Sequence, residues 1–153
     1  MPHLSTYIAL ADQSEKTLAD SFRAVASGHA AEADVFHTCH QLAGWSDEHR
    51  ERLAPVVERY GEDDVDEPER LHAAGLAETR EGEVGLLRDL QDLLVLATLV
   101  QTTWKVIVQG AQGLRDKELL EIAAHCQGET ERQISWLTTR IKVAAPQALI
   151  VAP

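Results

Sequence analysis

The sequence predicts an all-α protein, an antiparallel four-helix bundle with a long crossover between its second and third helices. Three observations carry that expectation. Four segments of about 25 residues place apolar side chains three and four positions apart, the repeat of one helix face. Strand signals are absent: there are no alternating β-branched runs and no Asn-Gly turns. The connections run short, long, short, which makes two helical hairpins joined by a segment long enough to cross a bundle.

The first helix is expected from Leu4 to Ser27, before Gly28, with Leu4, Ile8, Ala11, Leu18, Phe22 and Val25 on one stripe. The second is expected from Asp34 to Tyr60, stopped by Gly61, with Val35, Cys39, Leu42, His49, Leu53, Val56 and Tyr60 facing inward. Two features threaten its continuity. Gly44, Trp45 and Ser46 could end one helix and cap another, and Pro55 removes a backbone donor and crowds the carbonyl of Glu51, which predicts a kink. Residues 62–82 read as a polar crossover, with six acids and no base between Glu62 and Glu69 and a short helical turn around Glu69 to Ala77. The third helix, Glu83 to Gly110, has the most apolar middle of the chain. Lys105 is its only charge after Asp92, so it should be buried on more than one side, at the centre of the bundle or at a subunit contact. The fourth, Asp116 to Lys142, carries Leu120, Ala124, Ile134, Leu137 and Ile141 on one face. Pro146 should end it and leave residues 143–153 as an extended apolar tail.

Composition bounds the function. A chain of 153 residues is a single domain, 1–153, and 44% hydrophobic with 25% charged residues is the balance of a folded domain. The net charge of −11 repels phosphate backbones and anionic lipid, so nucleic acid and membranes are excluded as partners. Much of that excess is local to the six acids of the crossover. The longest apolar stretch, Leu93 to Val100, is far shorter than the roughly 20 residues of a membrane span. Cys39 and Cys126 are too few for a disulfide framework, and the N-terminus lacks the basic and apolar segments of a secretory signal, which together read as cytoplasmic.

Each apolar stripe is interrupted by a polar residue, and most interruptions fall near the helix midpoint. Glu15 continues the inward spacing of the first helix. His49 lies near the middle of the second, Gln101 near that of the third, and His125 and Glu129 bracket that of the fourth. Midpoints of four antiparallel helices meet at one level, so these groups could converge on one buried polar site, where carboxylates and imidazoles must be hydrogen-bonded, paired or metal-bound.

With these residues the chain resembles the ferritin-like superfamily, whose bundles hold two iron or manganese ions between a Glu on the first and third helices and a Glu-x-x-His on the second and fourth. The resemblance implies Glu15 as the first-helix carboxylate, His49 as the second-helix imidazole and His125 as the fourth-helix imidazole. Ser46 and Ile122 stand where the motif's other two Glu residues belong, the third helix offers Gln101, and Glu121 or Glu129 could substitute. The resemblance therefore implies one ion of iron, manganese or zinc held by Glu15, His49, His125 and Glu129, rather than a competent di-iron enzyme. The alternative is a polar layer that fixes helix register, with Gln101 hydrogen-bonded to Glu15 and the histidines, in a non-catalytic scaffold.

Weaker signals compete. His29, Glu32, Asp34, His37, Cys39 and His40 crowd the first hairpin, and the three-residue spacings could bind zinc or simply be solvated. The acidic segment from Gly61 to Glu69 could hold calcium loosely, although it lacks an EF-hand pattern. No Gly-x-Ser-x-Gly or phosphate-binding loop exists, and Cys126 beside His125 projects away from it. Trp45, Trp104 and Trp136 read as core or interface anchors, and Gly128 as a close helix approach or a space beside the polar layer. The tail could lie on its own bundle, cross to a neighbouring subunit or dock a partner protein. A homodimer through the third helix or the tail completes the expectation.

Overall fold

A computed structural model describes residues 2–61, 75–76 and 78–153, and the described chain is all-helical. Its elements are α1 (Pro2–Gly28), α2 (Ala33–Tyr60), α3 (Gly82–Leu114) and α4 (Lys117–Pro146), followed by a π-helical turn at Gln147–Val151. The expected acidic crossover, with its short helical turn and calcium reading, falls mainly on residues 62–74 and lies outside the described residues.

Helix α1 packs on α2 and α3, and α4 packs on α3 and α2, so α2 and α3 face each other across a diagonal. Contacts at the helix ends give the directions. Arg59 and Tyr60 at the end of α2 reach Asp116 at the start of α4, at 2.8 and 2.6 Å. Arg140 near the end of α4 returns to Asp34 at the start of α2, at 2.7 Å. His29, just past α1, meets Asp89 in the first turns of α3 at 2.7 Å, while Gly110 near the end of α3 lies against Leu4. Packed neighbours are therefore antiparallel, and α2 ends at the opposite end of the bundle from where α3 begins.

The inward stripes of α1 and α2 follow their expected spacing. Ile8, Ala11, Leu18, Phe22 and Val25 are buried on α1, and Val35, Cys39, Leu42, Leu53 and Val56 on α2. Helix α2 runs unbroken through both positions expected to threaten it. Ser46 is buried inside the helix as a hydrogen-bond acceptor for Gln133, and Pro55 with Glu51 falls on the exposed side, where water can solvate the freed carbonyl. Gly61, at φ 80°, ends the helix in a conformation that suits a residue without Cβ. Gly28 serves a different need: a Cβ there would collide with Thr79 at 2.2 Å, so its absence lets the chain before α3 close on the end of α1.

The face expected on α4 is rotated by about one residue. The buried row is Leu119, Ala123, Cys126, Thr130, Gln133 and Leu137, while Ala124 is exposed and Leu120, Ile134 and Ile141 are half-buried. That row keeps a strict four-three spacing, but Thr130 and Gln133 interrupt its apolar character and conceal it. Both are satisfied locally: Thr130 Oγ1 donates to the Cys126 carbonyl at 2.7 Å, and the Gln133 amide donates to the Leu42 carbonyl at 2.9 Å.

Helix α3 runs one turn beyond its expected end and closes at Leu114, with Arg115 in the left-handed region at φ 56°. It is long and apolar enough to cross a membrane by length and composition alone, a test that core helices also pass. Its inner face, with Leu90, Leu93, Trp104 and Ile107, is fully buried in the bundle. The tail is not extended. The helix passes through Pro146 and loosens into the π-turn, closed by Ala152 N–H to the Gln147 carbonyl at 2.8 Å. Ala144 and Ala148 are buried and anchor that turn against the chain's own α3 and α4.

Two substitutions test this account. Gly128 is exposed, with nothing within 4 Å of a Cβ built there, so it serves neither close approach nor packing. Gly128→Ala should raise stability by about 1 kcal/mol, measured by urea denaturation. Asp116 caps α4 by accepting from Leu119 N–H at 3.1 Å while holding Arg59 and Tyr60, so Asp116→Ala should lower stability by about 1–2 kcal/mol in the same assay.

Candidate functional site: a buried carboxylate and histidine relay

Glu15, His49, Glu129 and His125 meet near the middle of the bundle as a chain of contacts. His49 is fully buried and uses both ring nitrogens: Nδ1 pairs with Glu15 Oε2, and Nε2 lies 3.0 Å from Glu129 Oε1. Nε2 of His125, one turn before Glu129 on the same helix, lies 3.0 Å from that same Oε1. Burial falls along the relay, from Glu15 and His49, both fully enclosed, through Glu129 to His125, which is 39% exposed. The rotation of α4 explains the gradient. With Cys126 and Thr130 facing the core, His125 and Glu129 sit at the edge of the helix face.

Helix α3 contributes an indole instead of a ligand. Trp104 is fully buried with its ring edge-on to His49, 6.5 Å between centroids, and Gln101 is half-buried and outside the relay. The Trp104 N–H is near enough to Glu15 to favour its charged form but makes no hydrogen bond of ordinary geometry. Glu15 Oε1 and Trp104 Nε1 are both left unpartnered. Beside this level, Gln133 bridges to Leu42 and Ser46 of α2, a second polar tie that the spacing argument had passed over.

Burial works against a charged His49 ring, but hydrogen bonds and charge from Glu15, then Glu129, outweigh it and hold its pKa above the ordinary value. Burial also pushes the Glu15 carboxyl up, and His49 offsets this only in part. The pair therefore holds its proton tightly, and a protonated His49 donates from Nδ1 to Glu15 and from Nε2 to Glu129.

The metal centre implied by the ferritin-like resemblance does not fit this geometry. The two nitrogens of an imidazole point away from each other, so an ion on His49 Nε2 cannot also reach Glu15 on Nδ1. Among the described residues no group of three or more His, Cys, Asp or Glu side chains is placed to hold a metal ion. Ser46 is taken up by Gln133, Ile122 is half-buried, Glu121 is exposed, and Trp104 fills the level where α3 would have supplied a carboxylate.

The histidine-rich first hairpin also divides its groups. Glu32 and Asp34 pair with Arg140, at 3.4 and 2.7 Å. The exposed His37 and His40 pack edge-on to Phe36, and Cys39 is buried with its thiol pushed up to about 12 by desolvation. Burial likewise raises the Cys126 thiol. His29 joins a second buried ion cluster that the sequence reading missed. Asp89, fully buried, accepts from Arg80 N–H at 2.9 Å and Arg80 Nη1 at 2.7 Å, and its Oδ2 meets His29 Nε2. Its signal was a single acid set between Leu86, Leu90 and Leu93 on the inner spacing of α3. A groove of about 890 Å³ lies between α1 and α2, lined by Asp12, Asp47, Arg50, Glu51 and Glu58 among others, apart from the relay.

Compared with known proteins, the chain matches no family model, no curated protein and no solved structure.

The relay makes a signed pH prediction. Glu15 and His49 both bind a proton more tightly folded than unfolded, so stability falls as pH rises. The His49 contribution is complete below its unfolded value of 6.5 and is lost as pH climbs through the higher folded value. The urea midpoint should therefore drop as pH rises above about 6.5, and the drop should shrink in His49→Gln. At about pH 7, His49→Ala should cost about 3–5 kcal/mol, because it leaves Glu15 buried without its partner.

Proposed function

We propose that this chain is a non-catalytic helical-bundle protein of ferritin-like arrangement, in which the mid-bundle relay is a structural polar layer and the biological activity is association with another protein surface. The observation that carries the reading is the commitment of both His49 nitrogens to carboxylates at a fully buried site. A histidine held this way has no nitrogen left for a metal or a substrate, and the indole of Trp104 closes the side facing α3.

The ferritin-like part rests on helix order and direction. In that arrangement two hairpins are joined by a long crossover. Here α1 with α2 and α3 with α4 are antiparallel neighbours, and α2 and α3 lie on a diagonal, running the same way. The association part rests on the distribution of exposed apolar side chains. Among the described residues, every large one lies on α3 or within residues 143–151.

Elemental analysis of protein purified without chelators or a His tag tests the reading. The expected result is sub-stoichiometric metal, unchanged in a His49→Ala, His125→Ala double variant. One equivalent of iron, manganese or zinc that disappears in that variant would overturn it in favour of a metal-binding role.

A further inference from the structure

We infer that the end of the bundle where α3 begins carries a binding site for a primary ammonium group on a short aliphatic chain, with His29 Nδ1 and the carboxylates of Glu32 and Glu83 as its acceptors. The site is separate from the central relay and does not depend on how the relay is read.

Two hollows adjoin at this end. One, of about 230 Å³, lies against His29, Glu32, Glu83 and Leu86. The other, of about 290 Å³, shares Glu32, Glu83 and Leu86 and adds Arg140, Val143 and Ala144. The turn between α1 and α2, the start of α3 and the end of α4 therefore wall one cleft of the size a small ligand occupies, with two carboxylates where its halves meet.

His29 gives the cleft its chemistry. Its side chain is only 6% exposed, and its Nε2 lies 2.7 Å from Asp89 Oδ2. Asp89, fully buried, also accepts from the Arg80 N–H and from Arg80 Nη1. A carboxylate held as an ion by a guanidinium can only accept, so the neutral imidazole must carry its hydrogen on Nε2. Nδ1 is then a lone-pair acceptor. Among the described residues no group donates to it, and the ring borders the smaller hollow. Asp89 is thus a positioning residue, and the acceptor it leaves at the cleft lacks a donor that a ligand can supply.

Charge and shape select the donor. Arg140 is shared between Asp34 at 2.7 Å and Glu32 at 3.4 Å, so one guanidinium answers two carboxylates, and Glu83 pairs with no described residue. The cleft is therefore negative, in a chain of net charge −11. An anion does not fit although two helices begin here, because Glu32 and Glu83 already stand at those starts. A bare metal ion does not fit either, since the acceptors are not grouped closely enough to share one. Three separated acceptors match the three N–H donors of a primary ammonium. Leu86, Val143 and Ala144 offer apolar surface to its stem. A free alkylamine and the lysine side chain of a partner protein share this chemistry.

Titration of the full chain with n-butylammonium chloride, followed by nitrogen-15 NMR at about pH 7.5, where a primary amine stays charged, tests the inference. Saturable binding of one equivalent is expected, with shifts at the backbone N–H groups of residues 28–32 and 82–86. Glu83→Gln, at an exposed position outside the core, should weaken binding about tenfold through the loss of a charged acceptor. n-Butyltrimethylammonium, with the same charge and stem but no N–H donor, should bind about tenfold more weakly than n-butylammonium. Long-range proton–nitrogen spectra should show His29 protonated at Nε2, with an Nδ1 signal that moves on saturation. A tripeptide with blocked ends and one central lysine distinguishes the sources. Binding tighter than that of n-butylammonium assigns the site to a partner's lysine, weaker binding assigns it to a free amine, and either supports the site. No saturable binding, shifts confined to the groove beside Asp12 and Glu51, a His29 hydrogen on Nδ1 alone, equal affinity for the trimethyl ion or indifference to Glu83→Gln would each overturn the inference.

Discussion

Burying Glu15 and His49 together at the middle of the bundle is the constraint on which the other packing choices depend. Desolvating two ionisable groups costs several kcal/mol for each, and the cost is recovered only if both find partners at hydrogen-bond distance. Here the partners come from three helices, Glu15 from α1, His49 from α2 and Glu129 from α4, so their axial positions must agree. A slide of one helix by a single turn, 5.4 Å, would break every contact of the relay. Apolar stripes alone tolerate such slides, since one leucine replaces another a turn away.

The same device recurs at both ends. At one, Asp116 gathers Arg59, Tyr60 and the Leu119 N–H in the first turn of α4; burial would raise its carboxyl, but the surrounding donors hold it below the usual range. At the other, Asp89 gathers His29 and Arg80 while Arg140 ties α4 to the start of α2. The bundle is thus pinned at three levels by polar contacts, with apolar layers between them. Helix α3 takes part in the Asp89 cluster but adds no charged group to the central relay, where it places Trp104 instead. Its remaining distinction is an outer face that is apolar where the outer faces of the other helices are charged.

Legibility in the sequence followed the purity of each stripe. On α1 and α2 one polar residue stood in an otherwise apolar row, so the row could be extended through it and Glu15 and His49 placed inward. On α4 the row passes through Thr130 and Gln133, which look like surface residues, while half-buried Leu120, Ile134 and Ile141 offered a more hydrophobic but rotated alternative. That rotation is why His125 stands at the rim rather than in the core. Gln101 failed as a site residue because a midpoint position says nothing about azimuth, and the inward azimuth at that level belongs to Val100 and Trp104. Asp89 was passed over because it lies near a helix end, where an acid is ordinarily solvated.

The sequence by itself determined the helical class, the ends of α1 and α2 to within about two residues, and the inward placement of Glu15 and His49 within otherwise apolar stripes. These are local properties, set by periodicity, glycine conformation and the cost of burying charge. Only the tertiary structure decided how those polar groups connect. Whether four residues surround a point or form a line depends on the rotation of each helix about its axis and on which nitrogen of His49 meets which carboxylate. Those are fixed by packing between segments distant in the chain: Glu15 and His49 lie 34 residues apart, and His49 and Glu129 lie 80 apart.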